Sequence, residues 1–102
     1  MTPRSGEIWR ADLGTETRQS VYVISEDRFH QLAERALVAP VLPVSGSGNS
    51  PPWWVSSDSS VVALERLSSI PVTRLLDRER VVPHATARAI QQAIGWLTGS
   101  GR

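Results

Sequence analysis

The stretch 'GEIWRADLG', residues Gly6 to Gly14, alternates apolar and polar side chains until a glycine closes the run. Alternation with a period of two is the mark of a half-buried strand. It places Ile8, Arg10 and Asp12 on one face and Trp9, Ala11 and Leu13 on the other. The polar 'GTETRQS', Gly14 to Ser20, then forms a loop to 'VYVIS', Val21 to Ser25, whose β-branched and aromatic residues predict a second strand.

Further along, 'EDRFHQLAERA' predicts a short helix capped by Ser25, with Phe29, Leu32 and Ala33 at helical spacing. The apolar run 'LVAPVLPV', Leu37 to Val44, has the character of a buried strand, although Pro40 and Pro43 each remove a ladder donor. Next, 'SGSGNSPP', Ser45 to Pro52, is a loop of low complexity, and 'WWVSS' resumes strand character. Two more short strands are expected around Val61 to Ala63 and Leu67 to Val72, followed by 'TRLLDRERVV' as a charged connection. The last segment is an amphipathic helix with Pro83 in its first turn and its end near Gly99. Ile90, Ala93, Ile94 and Leu97 share one face of it, and Arg88 and Gln92 lie opposite. The predicted fold is mainly β with α: a small, bent antiparallel sheet or SH3-like barrel, with a short inserted helix and a C-terminal helix.

A chain of 102 residues is the usual size of one domain, and residues 1–102 are read as such. A domain this small buries only about 60 to 70% of its unfolded surface, so pairing with a second copy would help to stabilise it. With no cysteine and two histidines, disulfides are excluded and a zinc site would need carboxylates, so no metal or cofactor is expected. The N-terminus 'MTPRSGEIWR' lacks the apolar core of a signal peptide, and no apolar run approaches the roughly 20 residues of a membrane helix. A cytoplasmic protein is expected. The net charge of +1 does not by itself argue for nucleic acid, yet all 11 basic residues are arginine. Arginine's fixed fork of donors suits phosphate, while codon bias in a GC-rich genome explains the same excess.

The series 'GEIWRADLG', a polar loop with an arginine, 'VYVIS', 'VAPV', 'SVVALERLSSI' and a final amphipathic helix resembles the MazF/PemK toxins from about Gly6 to about Leu97. That resemblance implies a homodimeric toxin with an antitoxin partner, which in typical members cuts single-stranded mRNA without a metal. The fold-related CcdB toxins, which act on DNA gyrase, are similar in 'SSIPV' and 'IQQAIGW' but have no counterpart of 'GEIWRADLG'. They supply a second reading, with Trp96 as the anchor. A homologue that binds its antitoxin without cleaving RNA is a third.

Cleavage through the 2'-hydroxyl needs a base, a proton for the leaving oxygen, and donors that stabilise the phosphorane. The family resemblance implies an arginine just before the second strand, in an Arg-Pro pair, and a threonine or serine just after 'APV'. Alignment on 'VYVIS' puts Gln19 and Ser20 at the Arg-Pro positions, and a one-residue shift in the loop would return Arg18 to the site. After 'APV' stands Leu42, which has no hydroxyl; Ser45 and Ser47 downstream are the candidates to replace it. The catalytic candidates are therefore Arg18, Ser45 and Ser47. Gln19 and Ser20 are candidates for RNA contact, as are Trp53 and Trp54, which on a strand point to opposite faces, one into the core and one toward a splayed base. His30 and His84 are read as surface histidines, since nothing in the sequence joins them as an acid and base pair. Arg74, Arg78 and Arg80 interleave with Asp77 and Glu79, the pattern of a solvated face.

Overall fold

The computed structural model describes residues 2–44 and 50–99. Its elements are β1 (Glu7–Ala11), β2 (Gln19–Val23), α1 (Asp27–Ala33), β3 (Arg35–Pro43), β4 (Trp54–Ser57), β5 (Ser60–Ala63), β6 (Ser68–Pro71), β7 (Leu75–Val81) and α2 (His84–Thr98). The strands form one antiparallel sheet in the order β4-β5-β3-β2-β1-β7, with β6 paired to β3 beside this path. The sheet bends strongly but is not closed: among the described residues no backbone pairing joins β7 to β4.

The opening stretch is bracketed by Gly6 at φ +93 and Gly14 at φ +86, backbone settings that an L side chain resists. Between them, burial does not alternate. Ile8 packs on one side of the sheet with Tyr22, Ala39, Val62, Leu64, Val82, Ile90 and Ala93. Trp9 and Ala11 pack on the other with Val21, Val23, Ala36, Val38 and Leu75. The sheet therefore carries a core on each face, and α2 covers only the first. Within α2, Ile90 and Ala93 are buried and Ile94 and Leu97 pack against them, as the helical spacing predicts.

Strand β3 accommodates its prolines by changing partner. It pairs with β6 through Arg35 to Val38 and with β5 from Val41 onward, so Pro40 sits at the handover. The Ile24 N–H donates to the Leu37 carbonyl at 2.9 Å, and the alternation of an antiparallel ladder then leaves Val21 and Pro40 as a pair without mutual hydrogen bonds. The missing N–H of Pro40 thus faces the gap between β6 and β5, where no ladder bond is lost.

Several expectations need correction. 'TRLLDRERVV' is largely strand β7, hydrogen-bonded along β1 from Glu7↔Val81 to Ala11↔Leu75. Charged residues are how an edge strand resists pairing with other chains, and here they hid the strand. Helix α1 starts at Asp27 with Glu26 as its cap residue, and Ser25 makes no cap bond. Phe29 and Leu32 lie exposed, while His30, expected on the surface, is only 3% exposed. Pro83 is the cap residue of α2 rather than part of its first turn.

Candidate functional site: a polar mouth at the end of the curled sheet

One step beyond the core under α2, the same face of each strand turns polar. Along β1 the step runs from Ile8 to Arg10, and along β2 from Tyr22 to Ser20, with Arg10 directly opposite Ser20. Along β4 and β5 it runs from Val55 and Val62 to Ser57 and Ser60, which are themselves a cross-strand pair. Directly paired residues share a face, so these side chains ring one end of the concave side.

Strand β7 adds to this ring through an irregularity. Ile8 pairs with Arg80 and Trp9 with Arg78, so Glu79 is an extra residue, the mark of a β-bulge. Simple alternation would send Arg78 and Arg80 to the same side. Instead Arg78 reaches Glu7 on the Trp9 side at 3.0 Å, while Arg80 turns to the Ile8 side. There Arg80 bonds Asp58 at 2.8 Å and the Ser57 hydroxyl at 3.1 Å, bridging by side chain the sheet ends that the backbone leaves apart. Glu79 points the same way and accepts a 2.6 Å hydrogen bond from the Ser20 hydroxyl. The reading of Arg74, Arg78 and Arg80 as one solvated face is thus corrected for Arg80, whose side chain is 33% exposed.

The β1–β2 loop forms the adjoining lip. The Asp12 carboxylate accepts the Gly14 N–H at 3.0 Å and lies 3.5 Å from Arg18 and 3.8 Å from Arg74. The Gly14 hydrogen bond is the largest influence on the Asp12 carboxyl; burial, next in size, opposes it, and with the smaller Arg18 and Arg74 charges the hydrogen bond holds the group below its ordinary range. Arg18 keeps about half of its side chain in solvent, at 47%. Gln19 is the first residue of β2, exposed and opposite Ala11, so it faces away from Ser20. Leu42, on β3, pairs with Val61 of β5. Ser45 and Ser47 lie outside the described residues.

The two tryptophans stand elsewhere. Trp54 pairs with Ala63 at the open end of the β4–β5 hairpin, away from the Ser57 to Ser60 turn that meets Arg80. Its indole N–H donates to Glu65 at 2.7 Å, and the Arg66 guanidinium sits 5.6 Å over its ring. Trp53 stacks on Trp96 of α2, with ring centroids 5.2 Å apart and planes at 29°. Neither is fully buried, so the expectation that one would be core does not hold. Their partners lie on α2 and the Leu64–Arg66 turn, and no described contact links them to Arg18, Gln19 or Ser20.

His30 and His84 are not brought together: His30 lies buried in α1 and His84 exposed at the start of α2. The His30 Nδ1 faces the Pro3 carbonyl at 2.9 Å. A carbonyl only accepts, so Nδ1 carries the hydrogen and Nε2 accepts the Ser25 hydroxyl at 2.6 Å. Ser25 Oγ in turn accepts the Leu37 N–H at 2.8 Å, so the histidine fastens the N-terminal segment to β3.

Of the residues at this mouth, the sequence reading named Arg18 and Ser20 as candidates and did not name Arg10, Glu79 or Arg80. Their charges were visible; the bulge that turns two of them to one face was not.

A bent sheet of this order with one covering helix is shared by several solved structures. A mycobacterial endoribonuclease in complex with its cognate antitoxin superposes with a TM-score of 0.81 at 19% identity, over 95% of each chain. A MazE-MazF structure from Deinococcus radiodurans gives 0.80 at 18% identity over 97% of each chain. The Mycobacterium tuberculosis toxin MazF-mt6 gives 0.73 at 19%, over 91% of this chain and 96% of that one. No curated protein matches the sequence. Residues 4–98 match the family model of the PemK-like, MazF-like toxins of type II toxin-antitoxin systems, and the chain belongs to that family.

Proposed function

We propose that this toxin is an endoribonuclease that cuts single-stranded RNA without a metal, acting as one domain over residues 1–102. In this reading it works as a homodimer in the cytoplasm and is held inactive by a cognate antitoxin protein. The observation that carries the reading is the family match over residues 4–98. Support comes from the cluster of arginines at one end of the sheet, where Arg18 and Arg80 pair with the carboxylates of Asp12 and Asp58. Guanidinium groups that hold a carboxylate hold a phosphate oxygen by the same geometry. Arg18 is assigned to stabilise the charge that develops on phosphorus. Ser45 or Ser47 would supply the hydroxyl absent at Leu42, and Gln19 and Ser20 would contact the RNA strand. Trp53 and Trp54 are assigned as stacking surfaces along a longer strand, away from the cut.

The test is incubation of the purified protein with long single-stranded RNA in EDTA, with mapping of the ends, beside an Arg18→Ala variant. Metal-independent cuts, reduced about 10²-fold or more in the variant, are expected, since one donor at a developing oxyanion is worth about that factor. Intact RNA together with inhibited gyrase supercoiling would transfer the assignment to the gyrase-directed alternative, for which Trp96, 59% exposed on α2, is the anchor. Intact RNA and unaffected gyrase would leave a protein that binds its antitoxin only.

A further inference from the structure

The positions that the resemblance marks for chemistry hold Gln19 and Leu42, and neither supplies a base. We propose that Glu79 is the general base of RNA cleavage in this protein, with Arg80 and Arg10 holding the scissile phosphate. The inference rests on the ribonuclease reading above.

Glu79 is the extra residue of the bulge, so it shares a face with its neighbour Arg80 instead of opposing it. To meet Ser20 it leans across β1, since β7 and β2 flank that strand, and Ser20 is the direct partner of Arg10. Its 2.6 Å bond to Ser20 fixes Oε1. Among the described residues neither a cation nor another donor engages Glu79, so Oε2 is left for a substrate hydroxyl. Arg10 is exposed and makes no ion pair among the described residues. Arg80 is held by Asp58, whose side chain is 77% exposed, and an exposed pair of that kind is worth only about 0 to 1 kcal/mol. A phosphate can take the carboxylate's place at little cost. The charged groups on this face are Arg10 on β1, its direct partner Asp77 and Arg80 on β7, with Asp58 of the β4–β5 turn holding Arg80.

In the step itself, Glu79 accepts the proton of the 2'-hydroxyl as that oxygen bonds to the adjacent phosphorus. The bond from phosphorus to the 5'-oxygen breaks, and the leaving oxygen takes a proton from water. The hydroxide so formed is neutralised by the proton that Glu79 releases. The products are a 2',3'-cyclic phosphate and a 5'-hydroxyl, with no oxidant or metal in the balance. Arg10 and Arg80 donate to the non-bridging oxygens as negative charge grows on them.

The test compares wild-type protein and Glu79→Gln on an RNA oligonucleotide that carries the mapped cut site, in EDTA. Affinity is measured in parallel by fluorescence polarisation on the same sequence with a single 2'-deoxy substitution at the cut. Loss of a positioned base predicts kcat lower by about 10² to 10⁴ while KM and the affinity for the uncleavable strand stay within about twofold. Glutamine is nearly isosteric and the site is exposed, so the thermal melt should coincide with wild type. Cleavage by Glu79→Gln within about threefold of wild type overturns the assignment. A matching loss of affinity overturns it too, since the residue would then bind rather than take a proton. If wild type itself leaves RNA intact, the ribonuclease reading falls and this assignment with it; equal cutting by both proteins removes the assignment alone.

Discussion

Glu7 shows how one side chain within the opening stretch acts on stability. Its side chain is 6% exposed, and its carboxylate accepts the Arg4 N–H at 2.8 Å, the Trp9 indole N–H at 3.0 Å and Arg78 at 3.0 Å. Burial alone pushes this carboxyl up, but the hydrogen bonds from Trp9, Arg4 and Arg78, with the Arg78 charge, outweigh it and hold the group below its ordinary 4.5. A carboxyl depressed in the folded state contributes stability above its unfolded value and loses it as pH falls through the folded value. The Glu7 contribution should therefore be complete above pH 4.5 and fade in more acid solution. Urea unfolding of Glu7→Gln at neutral pH is expected to show a loss of about 1 to 3 kcal/mol, with the gap to wild type narrowing below that pH. A gap that stayed constant into acid would remove the ionic part of the account. The sequence displayed Glu7 as a polar position in an alternating strand. It did not display that Arg78, 71 residues away, would arrive beside it.

Among the elements, α1 stores a removable strain. Glu34 ends the helix at φ 58, in the left-handed region, with its N–H bonded to the His30 carbonyl. A residue with a Cβ loses roughly 1 kcal/mol there, which glycine avoids. Glu34→Gly is expected to raise the urea midpoint by an amount equal to about 0.5 to 1 kcal/mol, with the slope m unchanged. A lower midpoint would mean that the Glu34 side chain itself stabilises the helix end. Strand β7 shows why some elements were not legible. Its alternation is broken twice, at Ile8/Trp9 and at Arg10/Ala11 of the partner ladder, and Leu76 to Glu79 all lie exposed. A pattern with neither period two nor an apolar run reads as a connection. By contrast, β5 was legible as a short apolar run, buried from Val61 to Ala63, and α2 because it buries Ile90 and Ala93 with the periodicity of its own backbone.

For the molecule as a whole, the mouth predicts how RNA binding responds to salt. Three arginines, Arg10, Arg18 and Arg80, face one end of the sheet, and each phosphate neutralised on a single strand contributes about −0.7 to the slope of log K against log salt. Binding of an uncleavable strand should therefore show a slope near −2, and Arg80→Ala should flatten it by about 0.7. An unchanged slope would place the strand away from the mouth. The sequence by itself determined the family and the kinds of most elements, β7 excepted, because the glycine-bracketed first strand, the β-branched runs and the amphipathic last helix are local patterns that backbone geometry imposes. It also displayed the stock of arginines, which make up all 11 basic residues. Only the tertiary structure decided which charges meet. The order β4-β5-β3-β2-β1-β7 sets residues distant in sequence side by side, and the bulge at Glu79 turns Glu79 and Arg80 to one face. The physical reason is that side-chain direction at a bulge depends on the partner strand's register, a non-local quantity that a single strand's sequence does not contain.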